Sequence, residues 1–87
     1  MARDYRVFIN QECLGILPLS GRRRQTVIHF FRQLSSMAHL GGDFYRTDSE
    51  SFRQYEVRHI AGYAVTWWID GPVFEVKGAD VRPLSKR

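Results

Sequence analysis

Residues 54–77, QYEVRHIAGYAVTWWIDGPVFEVK, decide the fold of this chain. Three runs within them are rich in β-branched and aromatic residues and are typical of strands. These runs are residues 54–60, 63–69 and 73–77 or slightly beyond. The turn sequences Ala61-Gly62 and Asp70-Gly71-Pro72 separate them, and connections this short require antiparallel neighbours. The segment therefore predicts a three-stranded β-meander at the C-terminus.

The N-terminal part predicts one strand followed by a short helix. Residues 5–9, YRVFI, alternate Tyr, Val and Ile with Arg and Phe, as a strand does. Asn10 is a suitable N-cap for a short helix through Leu17, which Pro18 stops. Residues 13–17 also fit a second strand, and the pattern leaves both interpretations open.

A longer helix is predicted from an N-cap at Ser20 to a stop at Gly41-Gly42. Apolar residues recur in it every three or four positions, at Val27, Phe30, Phe31, Leu34, Met37 and Ala38. Residues 43–53 are polar and are expected to form a loop, and residues 85–87 a loose tail. The whole chain, 1–87, is expected to be one α+β domain, with an N-terminal strand and helices packed on a small, mainly antiparallel sheet.

Composition excludes several classes of protein. With 44% hydrophobic and 25% charged residues, the 87-residue chain has the balance of one folded domain. Its longest apolar run is far shorter than the ~18–20 residues that a membrane span needs, and no signal-peptide pattern opens it. The single cysteine, Cys13, excludes an internal disulfide and a zinc site of paired cysteines. The sequence thus predicts a cytoplasmic protein with no membrane partner, no metal and no cofactor.

Positive charge is concentrated in the first part of the chain. The net charge is +4, and residues 1–34 contain six arginines against Asp4 and Glu12, whereas residues 35–87 are balanced. Eleven of the thirteen basic residues are arginine, whose planar group of donors suits phosphate and carboxylate. The pattern indicates a polyanion or an acidic protein segment as partner. An ordinary solvated face is the alternative.

Strand alternation predicts a candidate site on the sheet. If the helix covers Tyr55, Val57 and His59 together with the apolar set of the next strand, the opposite face is polar. That face would carry Glu56, Arg58, Thr66, Trp68, Glu75 and Lys77. There Glu56 could act as a general base, Arg58 and Lys77 could stabilise charge on phosphate, and Trp68 could stack on a base. The alternative is that these charges form cross-strand ion pairs that keep an open face soluble.

Arginines are also expected to contact nucleic acid outside the sheet. Arg22, Arg23 and Arg24 lie in the first turn of the predicted long helix, where the helix dipole disfavours cations. An external anion would relieve that repulsion, and a solvated basic patch is the alternative. The residues predicted to bind nucleic acid are Arg22, Arg23, Arg24, Arg53, Trp68 and Arg82.

Four short stretches carry a family resemblance. They are YRVFIN at residues 5–10, FFRQL at 30–34, GDF at 42–44 and YEVRHIAGYAVTW at 55–67. In this order and at this length, they resemble the RelE/ParE superfamily of bacterial type II toxins over about residues 5–80. The resemblance implies a toxin–antitoxin system in which a cognate antitoxin binds the toxin.

The resemblance also implies an activity and its residues. RelE-like members are endoribonucleases that cleave messenger RNA on the ribosome, and ParE-like members inhibit DNA gyrase. The basic strand residues of the RelE-like pattern fall on Glu56 and Arg58, and the arginine after its Gly-Tyr turn falls on Ala64, where this sequence departs. For a further basic residue near the last strand, Lys77 and Arg82 are the available substitutes. Ribosome-associated RNA cleavage is the first expectation, and a non-cleaving gyrase inhibitor or partner-binding module is the alternative.

Overall fold

Two helices pack on one face of a five-stranded sheet in the computed structural model, which describes residues 4–84. The elements are β1 (Arg6–Ile9), α1 (Gln11–Ile16), α2 (Arg22–Gln33), β2 (Phe44–Thr47), β3 (Gln54–Ile60), β4 (Tyr63–Asp70) and β5 (Glu75–Pro83). The sheet order is β1-β5-β4-β3-β2, with β1 parallel to β5 and all other neighbours antiparallel. The predicted α+β class and C-terminal meander are confirmed. The predicted tail at 85–87 lies outside the described residues.

The β3–β4 hairpin fixes which side chains of β3 face the helices. Its two-residue turn, Ala61-Gly62, has positive φ angles of 53° and 86°, as in a type I′ turn. Ile60 pairs directly with the buried Tyr63, and opposite residues of an antiparallel pair project to the same face. Side chains alternate along a strand, so Arg58 and Glu56 lie on the helix side together with Ile60.

The predicted faces of β3 are therefore wrong. The sequence interpretation placed Tyr55, Val57 and His59 on the helix side, but Val57 pairs with Thr66 and His59 pairs with Ala64. All of these residues project to the face that the helices leave open. A displacement of one residue exchanges the two faces of a strand, and here it exchanges every side chain of β3.

The core lies between α2 and the central strands. Its largest fully buried side chains are Trp67, Phe31, Leu34, Val27, Val65, Val76 and Val81. The Phe30 and Trp67 rings meet edge to face with centroids 5.0 Å apart. A Cβ added at Gly78 would lie 3.0 Å from the Phe31 ring, so glycine at this position lets Phe31 pack directly on β5.

The first helix is confirmed over the alternative strand. The Asn10 side chain accepts a hydrogen bond of 2.9 Å from the Glu12 amide, which caps α1 as predicted. Cys13 and Leu17 are buried against the sheet. Burial raises the pKa of the Cys13 thiol, and nearby Asp80 and Glu12 raise it further.

The long helix is shorter than predicted at both ends. Gly21, with φ of 103°, is the N-cap in place of Ser20, because the chain turns there in a conformation that favours glycine. At the other end α2 stops at Gln33, well before Gly41-Gly42. Past Gln33 the amides of Leu34, Ser35 and Ser36 donate to carbonyl groups three residues earlier, and the Ser35 carbonyl accepts from the Tyr5 amide, so the backbone leaves the α-helical pattern there.

The meander also differs from prediction at its last strand. Residues Gly71–Val73 form a single 3₁₀ turn, and Phe74 has a left-handed φ of 55°. β5 therefore begins at Glu75 rather than Val73 and extends to Pro83. Pro72 fits the turn because its ring fixes φ and it needs no amide partner there.

Residues 44–47 form an edge strand where a loop is predicted. All four residues of β2 are exposed, so the stretch lacks the buried alternation that marks most strands. Gly42 and Asp43 attach it to β3: the Asp43 amide donates to the Val57 carbonyl at 2.8 Å, and the Asp43 carboxylate accepts from the His59 amide at 2.9 Å. A Cβ at Gly42 would overlap the Val57 carbonyl oxygen, so this approach requires glycine.

Candidate nucleic-acid interface

A row of alternating cations and aromatic rings crosses the open face of the sheet. We call it the cation–aromatic row, and its members are Arg46, Tyr55, Arg53, Trp68 and Lys77. The Arg46 guanidinium lies 5.7 Å from the centre of the Tyr55 ring, and Arg53 lies 3.5 Å from the Tyr55 hydroxyl. Arg53 and Lys77 lie 3.7 Å and 5.1 Å from the centre of the Trp68 ring. The row thus extends without a break from β2 to β5.

Strand pairing explains why these residues meet. Arg46 is the direct partner of Tyr55 across β2 and β3, and Trp68 is the direct partner of Lys77 across β4 and β5. Opposite residues share a face, so both pairs project away from the helices. The sheet therefore sets the spacing of the row, and only Arg53, which precedes β3, enters it from a loop.

The cations of the row differ in their acidic partners. The Lys77 ammonium lies 3.4 Å from Glu75 and 3.9 Å from Asp70. Arg46 and Arg53 form no ion pair with any residue between 4 and 84. Their guanidinium groups keep donors available for an external anion.

A shallow groove of about 570 Å³ lies beside the row. It is lined by Arg46, Thr47, Asp48, Ser49, Tyr55, Thr66, Ala79, Asp80 and Arg82. Within it, the Arg82 guanidinium is held 2.7 Å from the Asp80 carboxylate. Two arginines, two aspartates and several hydroxyl groups make the groove suitable for a polar ligand.

The loop at the groove wall is fixed by Asp48. Its carboxylate accepts hydrogen bonds from the Ser51 amide at 2.8 Å, the Ser51 hydroxyl at 2.9 Å and the Glu50 amide at 3.2 Å. The bonds from Ser51 lower the pKa of Asp48, since each favours the charged carboxylate. Asp48 thus has a structural role in the loop between β2 and Arg53.

The predicted catalytic residues Glu56, Arg58 and Lys77 do not converge. Arg58 lies on the helix side, where its guanidinium is 5.3 Å from the centre of the Phe30 ring, whereas Lys77 lies on the open face. Glu56 also projects to the helix side, and its carboxylate oxygens accept from the Gly42 amide and the Gln54 side chain. The predicted single-face arrangement is wrong because the faces of β3 are exchanged.

Glu56 nevertheless reaches one corner of the sheet near the row. A shallow cavity of about 410 Å³ there is lined by Arg53, Gln54, Glu56, Trp68 and Ile69. Among the described cations, it is Arg53 rather than Arg58 that shares this cavity with Glu56.

The predicted nucleic-acid contacts divide between two sides of the molecule. Arg53 and Trp68 lie in the row, and Arg82 lies in the adjoining groove. Arg22, Arg23 and Arg24 begin α2, and the Arg23 guanidinium lies beside the β3–β4 turn at Gly62. The two arginine groups are separated by the sheet.

Two members of the row, Arg46 and Tyr55, are absent from the sequence prediction. Tyr55 was identifiable, because a two-residue turn at Ala61-Gly62 places Ile60 with Tyr63 and hence Tyr55 with Trp68. Arg46 had no comparable signal, since the exposed strand that carries it has no buried face.

No family model matches the chain, and neither a curated protein nor a solved structure matches it significantly. Residues 4–84 contain no group of three or more histidine, cysteine or acidic side chains arranged to hold a metal ion. No helix in the same range has both the length and the apolar character needed to cross a membrane.

Proposed function

We propose that the chain is an RNA-directed protein of the RelE/ParE toxin type that holds single-stranded RNA on the cation–aromatic row. The observation that carries this proposal is the continuity of the row, in which two rings alternate with three cations across four strands. Single-stranded RNA is recognised by this combination, because bases stack on aromatic rings and cations follow the phosphates.

The residues of the row have distinct roles in this proposal. Trp68 and Tyr55 supply surfaces on which bases stack, each worth ~1–3 kcal/mol per base. Arg46 and Arg53 contact phosphates, since neither is neutralised by a described acidic side chain. The guanidinium stacked on Trp68 also offers a flat surface that continues the ring.

The toxin type is supported by the order of the elements. A strand, two helices and an antiparallel meander follow one another as the resemblance leads us to expect. The net charge of +4 is compatible with an RNA target. A cognate antitoxin protein belongs to this proposal as the partner that neutralises the toxin, and the ribosome as the place where the RNA is met.

Cleavage of messenger RNA is the activity that we attach to this site. Glu56 would take the proton of the 2′-hydroxyl, whose oxygen attacks the adjacent phosphorus. The bond from phosphorus to the 5′-oxygen breaks, giving a 2′,3′-cyclic phosphate and a 5′-hydroxyl that receives its proton from water, because Lys77 lies on the opposite face of the sheet from Glu56. Arg53, which shares the corner cavity with Glu56, would stabilise the phosphorane charge.

A second candidate function is a family member that binds without cleaving, either as a gyrase inhibitor or as a module for a protein partner. The separation of Arg58 from Lys77 favours it, as do the two hydrogen bonds that already occupy the Glu56 carboxylate. Ala64, which has no polar group, lies opposite Arg82 where the resemblance implies an arginine.

The test of RNA binding uses a short unstructured RNA labelled for fluorescence anisotropy. Trp68→Ala is expected to weaken binding about 5- to 150-fold, the equivalent of ~1–3 kcal/mol. Leu19→Ala is the matched control, because it removes an exposed apolar side chain between α1 and α2, away from the row. Unchanged affinity in Trp68→Ala, with the fold intact by circular dichroism, would contradict the proposal.

Induced expression in bacteria separates the two candidate functions. Wild type and Glu56→Gln are compared for growth and for the integrity of messenger RNA. Arrest with cleaved transcripts, relieved by the substitution, supports ribonuclease activity. Arrest with intact transcripts supports a protein target such as gyrase, and no arrest supports a binding module.

A further inference from the structure

Helix α2 presents a second basic surface on the side of the molecule opposite the row. We define the α2 arginine surface by Arg22, Arg24, Gln25, Ile28, His29 and Arg32, and all of these except Arg22 line a shallow groove of about 430 Å³. We propose that this surface is a second nucleic-acid site, which binds the phosphate backbone of a base-paired duplex. This inference is independent of the function proposed for the row.

The charge on this surface is not neutralised by the protein. α2 contains four arginines and no acidic residue. The side chains of Arg22 and Arg32 form no hydrogen bond or ion pair with residues 4–84, and Arg24 donates a single bond of 3.2 Å to the Pro18 carbonyl. Most of the guanidinium donors are therefore free for an external anion.

The spacing of the arginines gives the surface a direction. Arg24, Ile28 and Arg32 follow one another at four-residue intervals, so they lie along one line on the helix. Eight residues of helix place Arg24 and Arg32 about 12 Å apart along the axis. A linear arrangement of cations over this length suits a polymer of phosphates better than a single small anion.

The surface has little to offer a protein partner. Its one aliphatic member, Ile28, is half-buried between two arginines, and the apolar rings of α2 are turned into the core. A docked helix would need an apolar groove, and an added strand would need a free sheet edge. A phosphodiester backbone needs only donors and positive charge, and the arginines supply both.

The same composition favours a duplex over a single strand. Single-stranded recognition depends on aromatic rings for stacking, and His29 is the only ring among the six residues of the surface. A duplex hides its bases and presents phosphates to the protein. The two faces of the molecule are thereby suited to different nucleic-acid forms.

The test measures binding of a blunt-ended RNA duplex, and of a DNA duplex of the same sequence, across a range of salt concentrations. The double variant Arg22→Gln/Arg32→Gln is expected to weaken duplex binding at least tenfold. Its slope of log affinity against log salt is expected to be shallower by about 2, one for each lost phosphate contact. Arg6→Gln is the matched control, because it removes an exposed arginine that lies outside both the row and α2.

The possible outcomes separate this inference from the function proposed for the row. Loss of duplex binding in the α2 variant, with single-stranded binding retained, supports the inference, whether RNA and DNA duplexes bind equally or RNA binds better. Wild-type protein that does not bind either duplex, or an α2 variant with unchanged duplex affinity, overturns it. Trp68→Ala affects only single-stranded binding, so its result concerns the row alone.

Discussion

The two faces of the sheet carry equal numbers of described cations but neutralise them differently. On the open face, three of the five cations form ion pairs with Glu75, Asp70 or Asp80, namely Arg6, Lys77 and Arg82. On the helix side, none of the five arginines forms an ion pair within residues 4–84; these are Arg22, Arg23, Arg24, Arg32 and Arg58. Equal numbers of cations therefore give one face whose positive charge is partly neutralised by acidic side chains and one whose positive charge is not.

This difference shows that arrangement, more than the count of charges, determines what a surface can bind. The open face combines residual charge with rings and hydroxyl groups, which permits stacking and hydrogen bonding over a short range. The helix side has free charge and no exposed aromatic ring on α2 except His29, so its attraction is long-range and decreases steeply with salt.

Two adjacent tryptophans provide the sharpest test. Trp67 is fully buried beneath α2, whereas Trp68 projects to the open face between Arg53 and Lys77. Trp67→Ala is expected to lower the free energy of unfolding by ~3–5 kcal/mol, because it leaves a large cavity in the core. Trp68→Ala is expected to change stability much less and to weaken RNA binding. Urea denaturation of both variants measures the difference.

Trp67→Phe is the control for this comparison. The Trp67 indole N–H is buried without a hydrogen-bond partner in the described structure, so phenylalanine removes an unsatisfied donor along with some volume. Its destabilisation should be well below that of Trp67→Ala. Equal destabilisation by Trp67→Ala and Trp68→Ala would show that the two faces do not divide core from surface as described.

The next prediction detaches one strand from the open face. Gly42→Ala forces a methyl group into the Val57 carbonyl and is expected to cost ~1–3 kcal/mol, with β2 displaced from β3. Arg46 would then leave the row, so affinity for single-stranded RNA should decrease as well. Hydrogen exchange should show lost protection in β2 while amides of β4 and β5 stay protected.

Gly15→Ala is the matched control for that substitution. Gly15 lies within α1, and a Cβ added there meets no atom within 4 Å. Alanine is therefore expected to stabilise α1 by ~0.5–1 kcal/mol. Destabilisation by Gly15→Ala that matched Gly42→Ala would contradict the packing argument.

The sequence predicted the fold more fully than it predicted the site. The meander and the α1 cap follow from local signals: alternation, tight turns and Asn10. β2 could not be found this way, because its exposed residues carry no pattern and only pairing with β3 makes it a strand. The end of α2 at Gln33 likewise depends on backbone contacts with serines and Tyr5 that a periodicity analysis does not contain.

Prediction of the site depended on one assignment, namely which alternate residues of β3 face the helices. The two-residue turn Ala61-Gly62 requires Ile60 and Tyr63 to share a face, which was available from the sequence. Without that step, the sequence interpretation assigns Glu56 and Arg58 to the open face and Tyr55 to the helix side, which is the reverse of the structure. The position of Arg53 on the Trp68 ring was not predictable, because Arg53 reaches it from outside the strands.

Removing an acid from the open face should make the two faces more alike. Glu75 lies 2.6 Å from Arg6 and 3.4 Å from Lys77, so it neutralises charge at one end of the row. Glu75→Gln is expected to raise affinity for single-stranded RNA by about three- to tenfold and to steepen its salt dependence. Anisotropy titrations at several salt concentrations measure the affinity and its salt dependence.

Glu12→Gln, which removes an exposed acid from α1, is the control and should leave single-stranded affinity nearly unchanged. A decrease in affinity on Glu75→Gln would show that this carboxylate positions Lys77 for binding.

The smallest effect concerns the cost of free charge at the start of α2. Arg22 lies in the first turn, which contains no acidic residue, and the helix dipole there disfavours a cation. Arg22→Gln is therefore expected to raise the free energy of unfolding by ~0.3–1 kcal/mol at low salt, and the gain should shrink as salt screens the dipole. Thermal unfolding at low and high salt measures this change.

Arg32→Gln is expected to lower the free energy of unfolding instead, because Arg32 lies in the last turn, where the dipole favours a cation. Opposite effects on stability, combined with weaker duplex binding in both variants, would separate the binding role of these arginines from their effect on the helix. If both variants lost stability to the same extent, local packing rather than the dipole would govern them, and the helix side would be less distinct from the open face than its free charge indicates.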